Sequence, residues 1–322
     1  MPVRWGMIGC GDVTERKSAP AFSQAEGSSL VAVASRTPSS ARAYAARHGI
    51  ERVFEDPDDL IRCPDVDAVY IATPPSSHLA LGMRVAEAGK PCCVEKPLAN
   101  SHGDAAARVA AFEAAGLPLF VAYYRRCLPR FEQVKRWIDA GAIGEVRHVH
   151  WTLMRPPSAG DLAGDGAWRT DSKEAPGGYF DDLACHGLDL FDFLFGPIHE
   201  ASGVTRNQQG LYEVPDSVAA CWSHESGATG TGFWNFAAGA SEEEVRIVGS
   251  KGRILFSVFE EAPVVLEAGA AIETLDIPNP DPIQFHHVER MIEHLGGGEA
   301  HPSLGVSAAR TQWAMDRIFG RL

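Results

Sequence analysis

The sequence predicts an α/β fold, in which an N-terminal doubly wound parallel sheet over residues 1–125 is followed by an α+β domain, residues 126–322, with a large, mainly antiparallel open sheet. Three observations carry this prediction. A length of 322 residues suits two domains of about 150 residues each. As far as residue 122, short apolar runs alternate with helix-compatible stretches, the pattern of parallel strands joined by crossover helices. Beyond Pro129 the apolar runs follow one another across turn signals, as antiparallel strands do.

The N-terminal strands are read at residues 3–8, 30–34, 68–72, 91–94 and 119–122. Helices fit at 41–48, 79–89 and 105–116, each ending at or near a glycine, the residue that most easily takes up the left-handed turn closing a helix. In the second domain a helix is expected at 131–140 and strands at 146–154, 218–224, 229–236 and 245–248, with Gly249-Ser250-Lys251-Gly252 as a hairpin turn. The segment 303–322 again has helical spacing, with Trp313, Met315, Ile318 and Phe319 available for one buried face. Only one face of the second sheet can be covered by so few helices. The other, expected to carry large residues such as Trp222 or Trp234, calls for a partner, so a homodimer or homotetramer built through this sheet is expected.

Composition narrows the function. An apolar share of 45% and a charged share of 22% fit a folded globular chain and exclude extended disorder or a fibrous coil. The net charge of −13 means that attraction to nucleic acid or an anionic membrane would need a local basic patch, and none is present in the sequence. No run of about 18 apolar residues could span a bilayer. The first residues enter an apolar strand without the features of a secretory signal, so a cytoplasmic location is expected. The seven cysteines are scattered, with Cys92-Cys93 the only close pair, and read as reduced, mostly buried thiols.

Gly9-Cys10-Gly11-Asp12-Val13-Thr14 follows the first strand and opens a helix, the context that a dinucleotide fingerprint requires. Gly9 permits the tight turn and Gly11 lets the backbone approach a pyrophosphate, while Thr14 replaces the usual third glycine. About 20 residues further on, NAD enzymes keep a carboxylate for the ribose 2′-hydroxyl. Here the chain reads Ser35-Arg36-Thr37, in which Arg36 can pair with a 2′-phosphate and either hydroxyl can donate to it. NADP is therefore expected over NAD.

Ala72-Thr73-Pro74-Pro75-Ser76-Ser77-His78 and Val94-Glu95-Lys96-Pro97, each after a strand, closely resemble the glucose-fructose oxidoreductase / inositol dehydrogenase (Gfo/Idh/MocA) family. Trp168-Arg169 followed by Gly177-Gly178-Tyr179-Phe180-Asp181-Asp182-Leu183-Ala184-Cys185-His186 resembles the second-domain signature of the same family, with Pro176 where many members carry a further glycine. The resemblance spans both domains. It implies a Rossmann domain and an α/β domain with an open sheet that often forms subunit contacts, the pyridine nucleotide lying between them. By family position, Thr73, Pro74 and His78 would border the adenosine or nicotinamide ribose, Glu95 and Lys96 the nicotinamide, and Trp168 and Arg169 would reach the cofactor from the second domain. Lys96, Asp182 and His186 would form the catalytic and substrate-binding set.

Chemistry agrees with that set. On a helix, Asp182 and His186 are four residues apart and share a face. Hydride transfer leaves a proton to be moved at the substrate oxygen, work that suits histidine near neutral pH, and Lys96 can polarise a carbonyl or, if desolvated, serve as the proton donor itself. Tyr124, with Tyr123 and Arg126, is placed either to touch substrate or cofactor or to pack between domains. For His286, His287, His294 and His301, His-Glu-x-x-His is absent and no cysteine or carboxylate completes a credible ligand set, so no metal is expected. The function expected is NAD(P)-dependent hydride transfer to or from a sugar, inositol or related cyclic polyol or diol. The alternatives are a glycosidase working through transient oxidation by tightly held NAD, against which Arg36 argues, and a non-catalytic dinucleotide sensor, against which Lys96, Asp182 and His186 argue.

Overall fold

The computed structural model describes residues 2–165 and 168–322. Six strands, β1 (Val3–Ile8), β2 (Ser28–Ala34), β3 (Arg52–Phe54), β4 (Ala68–Ile71), β5 (Cys92–Val94) and β6 (Leu119–Val121), form one sheet in the order β3-β2-β1-β4-β5-β6. Every pairing in it is parallel. The connecting helices are α1 (Asp12–Arg16), α2 (Ala19–Gln24), α3 (Pro38–His48), α4 (Pro57–Arg62), α5 (His78–Glu87) and α6 (His102–Ala114). Strand order reverses between β1 and β4, and such a switch point opens a crevice beyond the carboxyl ends of its strands. The strand Arg52–Phe54 was not among those expected, because three residues are too few for any periodicity to show.

The second sheet has eight strands: β7 (Val146–Met154), β8 (Ile198–Arg206), β9 (Ser217–His224), β10 (Thr229–Asn235), β11 (Glu242–Gly249), β12 (Gly252–Phe256), β13 (Val264–Ala268) and β14 (Ala271–Leu275). Their order is β14-β13-β12-β11-β7-β10-β9-β8. All neighbours are antiparallel except β7 and β10. Helices α7 (Pro129–Asp139), α8 (Ala159–Ala163), α9 (Tyr179–Phe195), α10 (Phe285–Leu295) and α11 (Gly305–Phe319) complete the chain.

The chain forms two compact units, and they are not divided by a single cut. Residues 280–309 return to the unit that contains the parallel sheet. The reason is local packing: Val288 and Met291 of α10 join the apolar cluster of Trp5, Phe22, Tyr70 and Phe120, and the Ser303 hydroxyl donates to the Val121 carbonyl at 2.8 Å.

In the second unit α9 lies on one face of the sheet. Val149, Trp151 and Leu153 alternate inward along β7, while His148, His150 and Thr152 face the other way and are only half-buried. Trp151 packs edge-on against Trp234 and Phe191, and Phe191 stacks on Trp222 at 5.9 Å. Trp222 and Trp234 are therefore buried within one chain, at 4% and 0% exposure, which corrects the expectation that they occupy the uncovered face. Gly187 makes this packing possible, because a Cβ there would run into the Trp151 ring.

Candidate active site

The turn after β1 is built around Gly9, whose φ of +106° is hostile to a side chain and whose Cβ would strike the Ala72 carbonyl. Thr14 fits where a third glycine is usual because its hydroxyl turns back to donate to the Gly11 carbonyl at 2.7 Å, and Tyr44 donates to the Thr14 carbonyl at 2.8 Å. At the switch point lies a cavity of about 660 Å³. Gly9, Gly11, Ser35, Arg36, Thr37, Thr73 and Pro74 all line it, so seven expected cofactor contacts share one wall. A Cβ on Gly11 would meet no atom within 4 Å, which leaves the backbone of the turn accessible to a ligand. This lining fits a dinucleotide: glycine backbone for the pyrophosphate and an exposed guanidinium beside two hydroxyls at the ribose end.

Other expected contacts lie elsewhere. Asp12 is exposed on the first turn of α1, and Val13 packs against the apolar cluster of the unit. His78 is fully buried, its Nε2 2.8 Å from the Thr73 carbonyl and its Nδ1 3.0 Å from the Pro97 carbonyl. Burial pushes its pKa down to about 4, and the neutral ring, which can donate to only one of these two carbonyls, packs between the loops that carry Thr73 and Lys96. Glu95 also turns inward at 7% exposure, accepting from the Tyr70 hydroxyl at 2.7 Å, Gln284 Nε2 at 3.1 Å and the Lys96 backbone N–H at 3.2 Å. Lys96 itself is half-buried at the end of β5. Tyr124 is 8% exposed, with the Arg125 guanidinium 5.0 Å from its ring centre, and Arg126 donates to the Pro302 carbonyl at 3.2 Å.

Sequence reasoning missed Ser40 and Arg84, which line the same cavity. Arg84 sits on α5, where it pairs with Asp58 at 2.8 Å, and no motif marks it. Glu55 and Asp56 line the cavity too, but Glu55 pairs with Arg42 at 2.8 Å and Asp56 caps α4 by accepting from the Asp58 N–H.

In the second unit, Asp182 and His186 lie on successive turns of α9, at 5% and 6% exposure. Arg169 Nε donates to Asp182 Oδ2 at 2.6 Å, and its guanidinium lies 4.6 Å from the ring centre of Trp168, which is 37% exposed. Arg169 thus holds the Asp182 carboxylate, a link that no spacing rule in the sequence reveals. The His186 ring stands edge-on to Phe259 at 5.7 Å, and Arg155 covers Phe259 at 5.4 Å. Asp181, beside Asp182, has a structural role: it accepts from the Gly177 N–H at 2.7 Å and pairs with Arg321 at 3.0 Å.

A glycine turn at the switch point of a parallel sheet, with a cavity shaped for a dinucleotide, defines a pyridine-nucleotide-binding protein. The chain belongs to the Gfo/Idh/MocA oxidoreductases: residues 3–123 match the oxidoreductase family with an NAD-binding Rossmann fold, and residues 131–255 match the GFO/IDH/MocA C-terminal domain. It is 32% identical to oxidoreductase P35 of Formosa agariphila, covering 99% of this chain and 98% of that protein. It is 30% identical to a D-apiose dehydrogenase of Paraburkholderia graminis over 78% of this chain and 66% of that one. In fold it resembles a levoglucosan dehydrogenase solved with NADH and levoglucosan, with a TM-score of 0.88 and 22% identity over 99% of this chain and 96% of the other. The protein is an NAD(P)-dependent dehydrogenase or reductase. No helix among the described residues is long and apolar enough to cross a membrane.

Proposed function

We propose that the protein moves a hydride between NADP and a sugar, an inositol or a related cyclic polyol or diol. The observation that carries the choice of NADP is Arg36, exposed at the end of β2 on the wall of the cavity, with Ser35, Thr37 and Ser40 beside it. A 2′-phosphate there would gain charge-assisted hydrogen bonds, which are roughly twice as strong as neutral ones. The names of the D-apiose and levoglucosan dehydrogenases support a sugar-type substrate.

The nicotinamide dinucleotide, when bound, supplies or accepts the hydride. Lys96 stabilises negative charge on the substrate oxygen, and His186 gives that oxygen a proton in reduction or takes one in oxidation. Asp182, paired with Arg169, orients His186 or holds a neighbouring substrate hydroxyl. The test is a panel of aldoses, polyols, inositols and cyclic diols with NADP and with NAD, followed at the reduced-nicotinamide absorbance. Turnover with a polyhydroxylated substrate, faster with NADP, is expected. No turnover with any of them, or a preference for NAD, overturns the corresponding part of the proposal.

A second copy of the chain is the occupant proposed for the outer face of the eight-stranded sheet, where exposed Val204 and Val248 lie among His148, His150 and Thr231. Light scattering showing a monomer at micromolar concentration would overturn this.

A further inference from the structure

Away from the cofactor cavity, the first unit gathers three metal-binding side chains from distant parts of the sequence. Cys127 closes the short helical turn Tyr124–Cys127 after β6, His287 lies in the first turn of α10, and His301 lies ahead of α11. One donor atom from each falls within 4.8 Å of the other two, and all three residues are buried. Cys127 Sγ and His301 Nε2 are 3.8 Å apart. Tetrahedral zinc with bonds of about 2.0–2.3 Å places its donors about 3.3–3.6 Å from one another, so the Cys127–His301 pair already nearly fits and the rest of the set must close by up to about 1.5 Å.

We propose that Cys127, His287 and His301 bind a structural zinc ion. A second observation points the same way. His287 Nδ1 is buried without a hydrogen-bond partner, while Nε2 lies 3.9 Å from Cys93 Sγ. A dry interior rarely tolerates such an orphaned ring nitrogen, and a metal ion would satisfy it. Cys93 then accepts from the other ring nitrogen and fixes the tautomer, as groups behind metal-bound histidines do. His301 Nδ1 lies 3.0 Å from the Ser303 backbone N–H, from which it accepts, and 3.2 Å from the Ser303 carbonyl; binding a metal at Nε2 would select the other tautomer, in which Nδ1 donates to that carbonyl. His287 is buried, and neutral imidazole is the form that ligates. One thiolate with two imidazoles is a donor set suited to zinc, with a fourth position for another ligand.

Sequence spacing did not suggest this set because the histidines lack a cysteine near them in the chain. The cysteine arrives through the fold, at the place where residues 280–309 rejoin the parallel-sheet unit. The ion would pin that returning segment to the turn after β6.

The test uses the full-length protein produced in zinc-supplemented medium, treated with EDTA and desalted, with metal content read by mass spectrometry. About one zinc per chain is expected in the wild type, and about a ten-fold lower content in Cys127→Ser. The wild type produced with cobalt instead should show thiolate-to-cobalt charge-transfer absorption, a reading that needs no variant to fold. A wild type without stoichiometric zinc and without that band overturns the proposal. So does a folded Cys127→Ser variant that keeps its full metal content, since the ion would then sit elsewhere.

Discussion

Tyr70 donates its hydroxyl to Glu95 across 2.7 Å in the interior of the first unit, two residues from the switch point on one side and one residue from Lys96 on the other. The same carboxylate accepts from the Lys96 backbone N–H, so a bond made by β4 helps to set where β5 ends. Tyr70→Phe keeps the ring, which stacks on Phe22 at 4.7 Å, and removes only the donor. Leaving a buried acceptor short of a partner costs about 1–3 kcal/mol. Urea unfolding should show that loss, and turnover should fall more than dinucleotide affinity. Unchanged stability would mean that Gln284 and the Lys96 N–H are enough to satisfy Glu95.

Cofactor choice is tested by Arg36→Ala. Hydrogen bonds to a charged group contribute about 1.5–3 kcal/mol, which is roughly a 10- to 150-fold change in affinity. NADP binding should weaken by that factor and NAD binding should hardly change, as read by fluorescence titration of the two reduced cofactors. Equal loss for both would place Arg36 at a part of the dinucleotide that they share.

Gly187, next in sequence to His186, lets α9 lie directly against the Trp151 ring of the sheet. A methyl group there collides with the Trp151 ring, which is fully buried and has little room to move. Overpacking of this kind costs about 1–3 kcal/mol. Gly187→Ala should therefore lower the denaturant midpoint, and turnover should fall with it as α9 shifts outward. A variant as stable as the wild type would show that the helix and sheet separate there without cost.

The pattern of residues made much of this visible in the sequence and left the rest hidden for physical reasons. Residues 146–154 could be read as a strand because one side of it is buried and the other is not, so polarity alternates. Residues 285–295 had a comparable signal in Phe285, Val288, Met291, Ile292 and Leu295 at helical spacing, but periodicity indicates a helix without saying which core receives it. The glycine turn was legible because it is local, with Gly9 forced by its own backbone angle. Arg169 holding Asp182, Tyr70 holding Glu95 and Cys127 meeting His301 are all contacts made by the fold between separate segments, and single-sequence spacing carries no record of them.

Stability should fall on mild acidification because of His224. Its Nδ1 donates to the Gly196 carbonyl at 2.7 Å while its Nε2 accepts from the Trp222 indole N–H at 3.1 Å, so only the neutral ring satisfies both. Burial lowers its pKa against the opposing pull of the Gly196 hydrogen bond, as burial lowers that of His78 to about 4. With folded pKa values below the unfolded value of about 6.5, the unfolded state binds more protons, and stability present above that pH is lost as pH falls toward the folded values. Each such histidine should contribute a slope of at most about 1.4 kcal/mol per pH unit below about pH 6. Urea unfolding between about pH 6.5 and 5 measures it, and His224→Gln should make the slope shallower. An unchanged slope in that variant would assign the acid sensitivity to other groups.

Catalysis gives the most demanding test, because it asks side chains from two units to serve one reaction. Lys96 follows β5, held by the Glu95 network, while Asp182 and His186 lie on one face of α9, His186 against Phe259 and Asp182 against Arg169. If Lys96 stabilises the charge that develops on the substrate oxygen and His186 moves the proton, both act mainly in the transition state. Lys96→Ala and His186→Ala should then each lower kcat by about 10²–10⁴-fold, with far smaller changes in dinucleotide affinity. The pH dependence of kcat separates donor from stabiliser: loss of the true donor removes its titration limb, and loss of the other residue leaves that limb in place at a reduced rate. Arg169→Ala should also lower kcat while leaving the limb, since it removes a partner of Asp182 and not the proton donor. Both alanine variants at Lys96 and His186 turning over the best substrate at near wild-type rates would show that the reacting carbon lies elsewhere.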